Sequence, residues 1–564
     1  MEHLPGAPSN PEPRTPNPVL TRRASAGLAA AVLVVLVGVV LWPQLAAFRL
    51  GADAALLADL FGRPQSVGMR ALAASVGVSL ATVAGSAVVG TALAVVLARV
   101  QLPFGRVLAA AAALPLALPP LVGVLAFLFL YGESGMLPRG LQALFGTDEV
   151  PVSFTGVGAV VAVHVYVFYV YVYLFVGAAL RAVDGALLDA SADLGAGAWT
   201  TFRRVVLPLL RPALVGSSLL VFMLSMASFT APLLFAEGTP FLTTQIYTFK
   251  TNGALDRAAT VSGVLTLICL VFLAASERGA ATTGAGAAKG IGRAAQPVRN
   301  PLARALAGVG VLGALVVVAL PVATVGLLSF VQDGTWTTQA FPDTFTLANY
   351  VALASDPDVL APVASSLWMA ALATAANVVF GVAVAFVVAK GRTPGRGLIR
   401  VLSVLPFAVP GTSIALGLIV ALNGLPGGGL VGTVWILPLA YFVRHVPLVV
   451  RATQAALDGV DDRLAEASAD LGAGAWTTVR RVVLPLVLPA IAAGGLLTFV
   501  TALGEFVASV MLYVYDNRPI SVETFSQLRQ GSFGQAAAYS VLLMALVAVS
   551  VGVSRAAGGR DVAG

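Results

Sequence analysis

Charge is what this chain has least of. Asp, Glu, Lys and Arg make up only 10% of its 564 residues, against 58% hydrophobic ones, and the mean hydropathy is +0.92. So few charges cannot solvate the surface of a soluble domain of this size, which excludes the water-soluble classes. Cysteine is scarcer still. Cys269 stands alone in an apolar Ile-Cys-Leu run, so neither a disulfide framework nor a thiolate metal site can be built, and it reads as a small buried hydrophobe. Histidine occurs only as His3, His164 and His445, with no His-Glu-x-x-His pair and no Ser/His/Asp grouping. Hydrolytic and metal chemistry therefore lack their residues, and no metal site is expected. His164, in an aromatic-rich run, reads as a hydrogen-bonded packing residue. A phosphate-cradling GxxxxGK[ST] loop is missing too: GAGAAKG at 284–290 fails the spacing and has no Ser or Thr after the lysine. The chain is thus no ATPase by itself. Its net charge of +7 comes from cations at the ends of apolar runs, which is no footprint for nucleic acid.

Long apolar runs are what the chain has in abundance. A helix needs roughly 20 apolar residues to cross the hydrocarbon core. Runs of that kind lie near 26–45, 72–98, 107–131, 155–180, 208–236 and 258–275, and again near 302–330, 361–389, 398–422, 429–452, 485–513 and 536–554. This predicts an all-α polytopic membrane protein of about twelve transmembrane helices in two sets of six. Residues 1–21, with six prolines and no apolar run, are expected as a disordered cytoplasmic tail. Arg22 and Arg23 then precede a run long enough to read as a retained anchor rather than a cleaved signal. The first half spans 22–275, a Gly/Ala-rich charged linker 276–301, and the second half 302–564.

The two halves share a written phrase. Residues 189–212 read DASADLGAGAWTTFRRVVLPLLRP and residues 466–489 read EASADLGAGAWTTVRRVVLPLVLP, identical at 20 of 24 positions at a constant offset of 277. Upstream, Ser75 and Ser366 are each expected to begin a helix reaching Leu-Pro at 114–115 and 405–406, and Pro119 and Pro410 keep the same offset of 291. The difference of 14 residues falls near 131–155, a longer outer loop in the first half. In each copy of the phrase an Ala-rich, acid-containing stretch favours a short helix. Gly195 or Gly472 ends it in the left-handed region. Trp199 with Arg203 and Arg204, or Trp476 with Arg480 and Arg481, follows, and Pro208 or Pro485 opens the next membrane helix. A single such elbow could be an interfacial connector. Two matching elbows suit a partner that presents the same surface twice. With the N-terminus inside, 25 of the 33 Lys and Arg residues fall in inner segments and 8 in outer ones. Both termini, the linker and both elbows are therefore expected in the cytoplasm.

This repeated phrase resembles the Glu-Ala-Ala…Gly…Leu-Pro loop of the membrane subunits of binding-protein-dependent ABC importers. The matching residues are Glu466, Ala467, Gly472, Leu484, Pro485 and Pro489, and Ala190, Gly195, Leu207, Pro208 and Pro212. Asp189 stands for the usual Glu, and Ser191 and Ser468 for the second Ala. The layout is similar to that of fused ferric-ion permeases, with supporting segments YFVRHVPLVVR at 441–451, MASFTAPLLF at 226–235 and NRPISVETF at 517–525. The resemblance implies two six-helix MetI-like halves around one pathway in a bacterial inner (plasma) membrane. It further implies two ATP-binding cassette subunits docked on the elbows, carrying ATP and Mg, an extracytoplasmic solute-binding protein, and no cofactor on this chain. Ferric iron is the implied solute, with thiamine, phosphonate and polyamine as alternatives. A secondary transporter of the major facilitator type is the rival of another class, but its GxxxDRxGRR-like loop is replaced by ARVQLPFGR at 98–106, without the acid.

Four residues mark a candidate pathway. Pro119 and Pro410 interrupt apolar runs, freeing carbonyls that must find partners in neighbouring helices or a wet cavity. Glu505 is an acid inside the apolar run 503–513, where ionisable groups are costly and often functional. Its counterpart at offset 277 is the neutral Ser228. A passing cation would balance Glu505 transiently; a fixed contact with Arg444 would balance it permanently.

Overall fold

The computed structural model describes residues 22–283 and 301–558, apart from 335, 337, 338, 340, 392 and 424–428. The tail expected over 1–21 and most of the expected linker lie outside these residues. Among the described residues, eleven helices are long and apolar enough to cross a membrane, twelve when one bent pair is counted as a single span. With that pair counted, the two expected sets of six are present. We number the spans α1 (Ser25–Gly51), α2 (Val67–Arg99), α3 (Pro120–Tyr131), α4 (Gly156–Ala182), α5 (Leu207–Met226) and α6 (Leu255–Thr283). The second half holds α7 (Pro301–Leu328), α8 (Pro357–Lys390), α9 (Gly411–Leu422), α10 (Ile436–Asp458), α11 (Leu484–Leu503) and α12 (Phe533–Gly558). The helix α6 runs on to Thr283, into the segment expected as linker.

Prolines break the third span of each half. In the second, Arg396–Ala408 meets α9 at an angle of 112°. In the first, the helix Gly105–Ala112 gives way to a tight turn over Leu114–Ala117 before α3. Leu118 and Val409, each just before a proline, take extended ψ values of 132° and 122°, because a following proline ring disfavours the helical region. Two other runs that read as single helices are also broken. Those at 208–236 and 485–513 stop at Met226 and Leu503, and short helices follow at Thr230–Phe235 and Val507–Leu512. The extra 14 residues of the first half are not a bare loop but carry the helix Met136–Phe145.

Small residues let the spans approach. A methyl group added at Gly90 of α2 would sit 2.6 Å from the Tyr169 carbonyl oxygen of α4, and one at Gly381 of α8 would sit 2.8 Å from Val449 Cβ of α10. Close backbone contact of this kind is how helices associate where no hydrophobic drive exists between them. Ser75 and Ser366 do not begin helices, as the sequence suggested; they lie inside α2 and α8. Their hydroxyls accept the Leu242 N–H at 3.0 Å and the Ile520 N–H at 2.8 Å. Each thereby ties its span to the helix Leu242–Thr251 or Ile520–Gln530.

The halves are laced together rather than set side by side. The first span of each crosses onto the other: α1 packs on α8 and α9, and α7 packs on α3. A methyl group at Gly417 of α9 would meet the Pro43 carbonyl oxygen at 2.9 Å. On the opposite side the Tyr166 hydroxyl of α4 donates to the Val318 carbonyl of α7 at 2.9 Å. One apolar core therefore contains residues of both halves, including Leu36, Phe129, Leu416 and Phe506.

Candidate coupling elbows and translocation path

The two elbows share their caps, glycine turns and side-chain contacts. Asp184 and Asp461 cap the short helices Gly185–Asp193 and Asp462–Asp470, each side chain accepting one backbone N–H at 3.0 Å. Such a cap satisfies a donor that the first turn leaves orphaned. The helices end at Gly195 (φ +75°) and Gly472 (φ +83°). The Ala196 N–H donates to the Ser191 carbonyl and the Ala473 N–H to the Ser468 carbonyl, both at 3.1 Å, while the glycine N–H groups reach Ala192 and Ala469 at 2.8 Å. This double closure is a Schellman turn and requires the positive φ that glycine supplies at no steric cost.

A side-chain clasp then fixes the elbow angle. Ser191 Oγ lies 2.8 Å from Thr201 Oγ1, and Ser468 Oγ lies 2.9 Å from Thr478 Oγ1. The clasp explains the serine that departs from the Glu-Ala-Ala pattern. It could have been suspected from the Ser and Thr kept ten residues apart in both copies. The helix begun at Ala198 or Ala475 runs on through a one-turn π-helix over Phe202–Val206 or Val479–Val483 into α5 or α11, so Pro208 and Pro485 lie inside a continuous helix and do not open it as the sequence suggested. Asp189, Ala190, Glu466, Ala467, Pro208, Pro212, Pro485 and Pro489 are exposed, and Leu207 and Leu484 are half-buried. Sequence reasoning missed the most exposed apolar pair among the described residues, Leu194 at 88% and Leu471 at 89%, in the same segments as Trp199 and Trp476 at 71% and 74%. These apolar groups stand open twice, at equivalent positions of the two copies. In the second half, Lys390 at the end of α8 holds the elbow by an ion pair to Asp462 at 2.6 Å.

The pathway candidates collect at the helix breaks. Ser228 lies between α5 and Thr230–Phe235, and Glu505 between α11 and Val507–Leu512. Matching bonds support both: Thr243 Oγ1 donates to the Ser228 carbonyl at 2.8 Å and Ser521 Oγ to the Glu505 carbonyl at 2.9 Å. The side chains then diverge. Ser228 Oγ bonds His164 Nε2 at 2.8 Å, and Ser225 Oγ bonds His164 Nδ1 at 3.0 Å, so His164 is the hydrogen-bonded packing residue that its aromatic surroundings suggested. Glu505, 7% exposed, accepts from Arg444 Nε at 2.7 Å and from the Ala508 N–H at 3.0 Å. Arg444 thus supplies the compensating charge from within the protein. Pro119 packs against Gly504, where an added methyl would meet its Cβ at 3.1 Å; Pro410 precedes Gly411, where one would meet Arg444 Nη1 at 2.8 Å. Among the described residues no group of three His, Cys, Asp or Glu side chains is placed to hold a metal ion.

Comparison with known proteins turns this geometry into a family. The sequence profile described as "Binding-protein-dependent transport system inner membrane component" matches residues 86–276 and 377–558. The chain belongs to that family. Its members are non-catalytic transmembrane subunits of ABC importers, without a cofactor of their own, whose ATP hydrolysis takes place on partner subunits. This permease is accordingly a multi-pass inner-membrane protein. It is 32% identical to a probable ABC transporter permease of Sinorhizobium fredii, over 90% of this chain and 91% of that protein. It is 27% identical to a ferric transport system permease of Actinobacillus pleuropneumoniae, over 77% of this chain and 64% of that one. A sulfate transport system permease of Escherichia coli is 31% identical over 38% of this chain and 84% of its own length.

Proposed function

We propose that this permease forms the membrane pathway of an importer for ferric iron. Two ATP-binding cassette subunits engage Leu194, Trp199, Leu471 and Trp476 on the cytoplasmic elbows, and one extracytoplasmic binding protein delivers the solute. Both termini face the cytoplasm with the elbows. ATP binding draws the elbows together and opens the path outward, past Ser228, Glu505, Pro119 and Pro410. The observation that carries the importer is the duplicated elbow with its symmetric exposed apolar pairs. Ferric iron is supported by relatives named for ferric transport that align with 77% and 72% of this chain, more than one half can supply.

A second reading, a small oxyanion, is favoured by the charge pair. Arg444 is its more open member, 27% exposed against 7% for Glu505, and relatives named for sulfate and molybdenum transport share parts of the chain. Vesicles holding the permease, its ATPase subunits and its binding protein decide between the two. ATP-dependent uptake of ferric iron in preference to sulfate, thiamine, phosphonate and spermidine is expected. Uptake of any other solute in its place overturns the iron assignment.

A further inference from the structure

Phe229 and Phe506 occupy matching places in the halves, 277 positions apart, each just before the short helix that follows a break. Both are 1% exposed, and their ring centroids meet 6.1 Å apart across the seam. A second pair of matching residues backs them: Tyr247 stands 5.4 Å from Phe229, and Phe525 stands 5.4 Å from Phe506. Four rings in the order Tyr247, Phe229, Phe506, Phe525 thus cross from one half to the other. Two residues that the internal repeat interchanges can touch only at its pseudo-two-fold axis. A solute enclosed between the halves travels along that same axis.

We propose that these four rings are the closed gate of the translocation path. The inference rests on the importer reading and deepens it. Ser228 and Glu505 directly precede the inner rings in sequence, so in each half the ring and the candidate pathway residue leave the same helix break. Closely packed rings leave no room for a hydration shell, and an apolar constriction blocks ions and polar solutes by dewetting. The attachment of the rings says where the gate parts. Thr243 binds the Ser228 carbonyl and Ser521 the Glu505 carbonyl, on the same two helices that carry Tyr247 and Phe525. Each half therefore carries its two rings as one unit. The Phe229–Phe506 contact between the units rests on dispersion alone, and it separates when the elbows move.

Chloride efflux from vesicles containing the permease with its ATPase subunits, without ATP or binding protein, tests the gate. The Phe229→Ala/Phe506→Ala pair should leak chloride, while Phe229→Leu/Phe506→Leu, which keeps apolar bulk, should stay tight. A correctly assembled alanine pair that is as tight as the unmutated complex overturns the gate. This measurement needs neither nucleotide nor the identity of the solute, so its failure leaves the import reading standing. Should the alanine pair not assemble, Phe229→Cys in a Cys269→Ala background decides. Its reaction with a charged, membrane-impermeant thiol reagent from outside should be slow at rest and speed up with a non-hydrolysable ATP analogue. An equal rate in both states overturns the proposal.

Discussion

Glu505 and Ser228 stand at one position of a repeated fold, yet one is charged and the other neutral. Each carbonyl takes a hydroxyl donor from the matching helix, Thr243 or Ser521, so the main difference lies in the side chains. The carboxylate was visible in the sequence as an acid in an apolar run. Its partner was one of two options, because the pairing joins residues 61 positions apart. Removing one member of a buried ion pair strands the other, at a cost of about 3–5 kcal/mol when both are enclosed. With Arg444 partly open to solvent, Glu505→Gln should cost about 1–3 kcal/mol. Thermal unfolding in detergent would register it as a lowered midpoint, and Glu505→Met with Arg444→Met should recover much of the loss. A double variant no more stable than the additive sum would remove the pair from the account. Gly472 poses a different constraint, a φ of +83°. A side chain there costs about 1–2 kcal/mol, and a β-branched one cannot keep the turn. Gly472→Val should insert normally yet fail to retain the ATPase subunits on affinity purification; full retention would show that the turn geometry is dispensable.

At the scale of elements, the elbow was the most legible part of the chain, and for a physical reason. A helix cap, a glycine turn and a Ser–Thr clasp each demand particular residue types at fixed spacing, so the copies stay recognisable as text. The breaks after Met226 and Leu503 were not legible. The apolar run resumes directly after Ser228 and after Glu505, and only packing against neighbouring helices decides where the helix stops. The proline breaks of the third spans lie between these cases: the ring marks the place, but the 112° bend is set by tertiary contacts. The missed Leu194 and Leu471 sit inside the legible phrase, because an apolar residue in a line of text does not declare which way it faces. Their near-complete exposure leads to a sharp expectation. Leu194→Asp and Leu471→Asp disturb no buried contact, so expression and unfolding midpoint should stay within about 0.5 kcal/mol of the unmutated protein. Binding of the ATPase subunits should fall for each and vanish for the pair. Undiminished ATPase binding by the double variant would exclude these leucines from the docking surface.

For the whole molecule, the lacing of α1 and α7 onto opposite halves makes the permease one folding unit despite its internal repeat. It also ties the two elbows to a single frame, so that a pull applied to both is felt along the seam. Whether both elbows face the same side follows from counting crossings. Between the first elbow and the second lie α5 to α8, the bent pair ending in α9, and α10; with that pair as one span the number is even. Both elbows then share a side, and in the orientation we propose from the Lys and Arg distribution that side is the cytoplasm. Single cysteines at Ala196 and Ala473, in a Cys269→Ser background, should react with an impermeant thiol reagent only from the cytoplasmic side. One at Gly146, at the end of the helix Met136–Phe145, should react only from outside. Were Ala196 and Ala473 labelled from opposite sides, the bent pair would be a re-entrant loop that turns back without crossing. Labelling of both from outside would reverse the whole orientation and detach the elbows from any cytoplasmic ATPase.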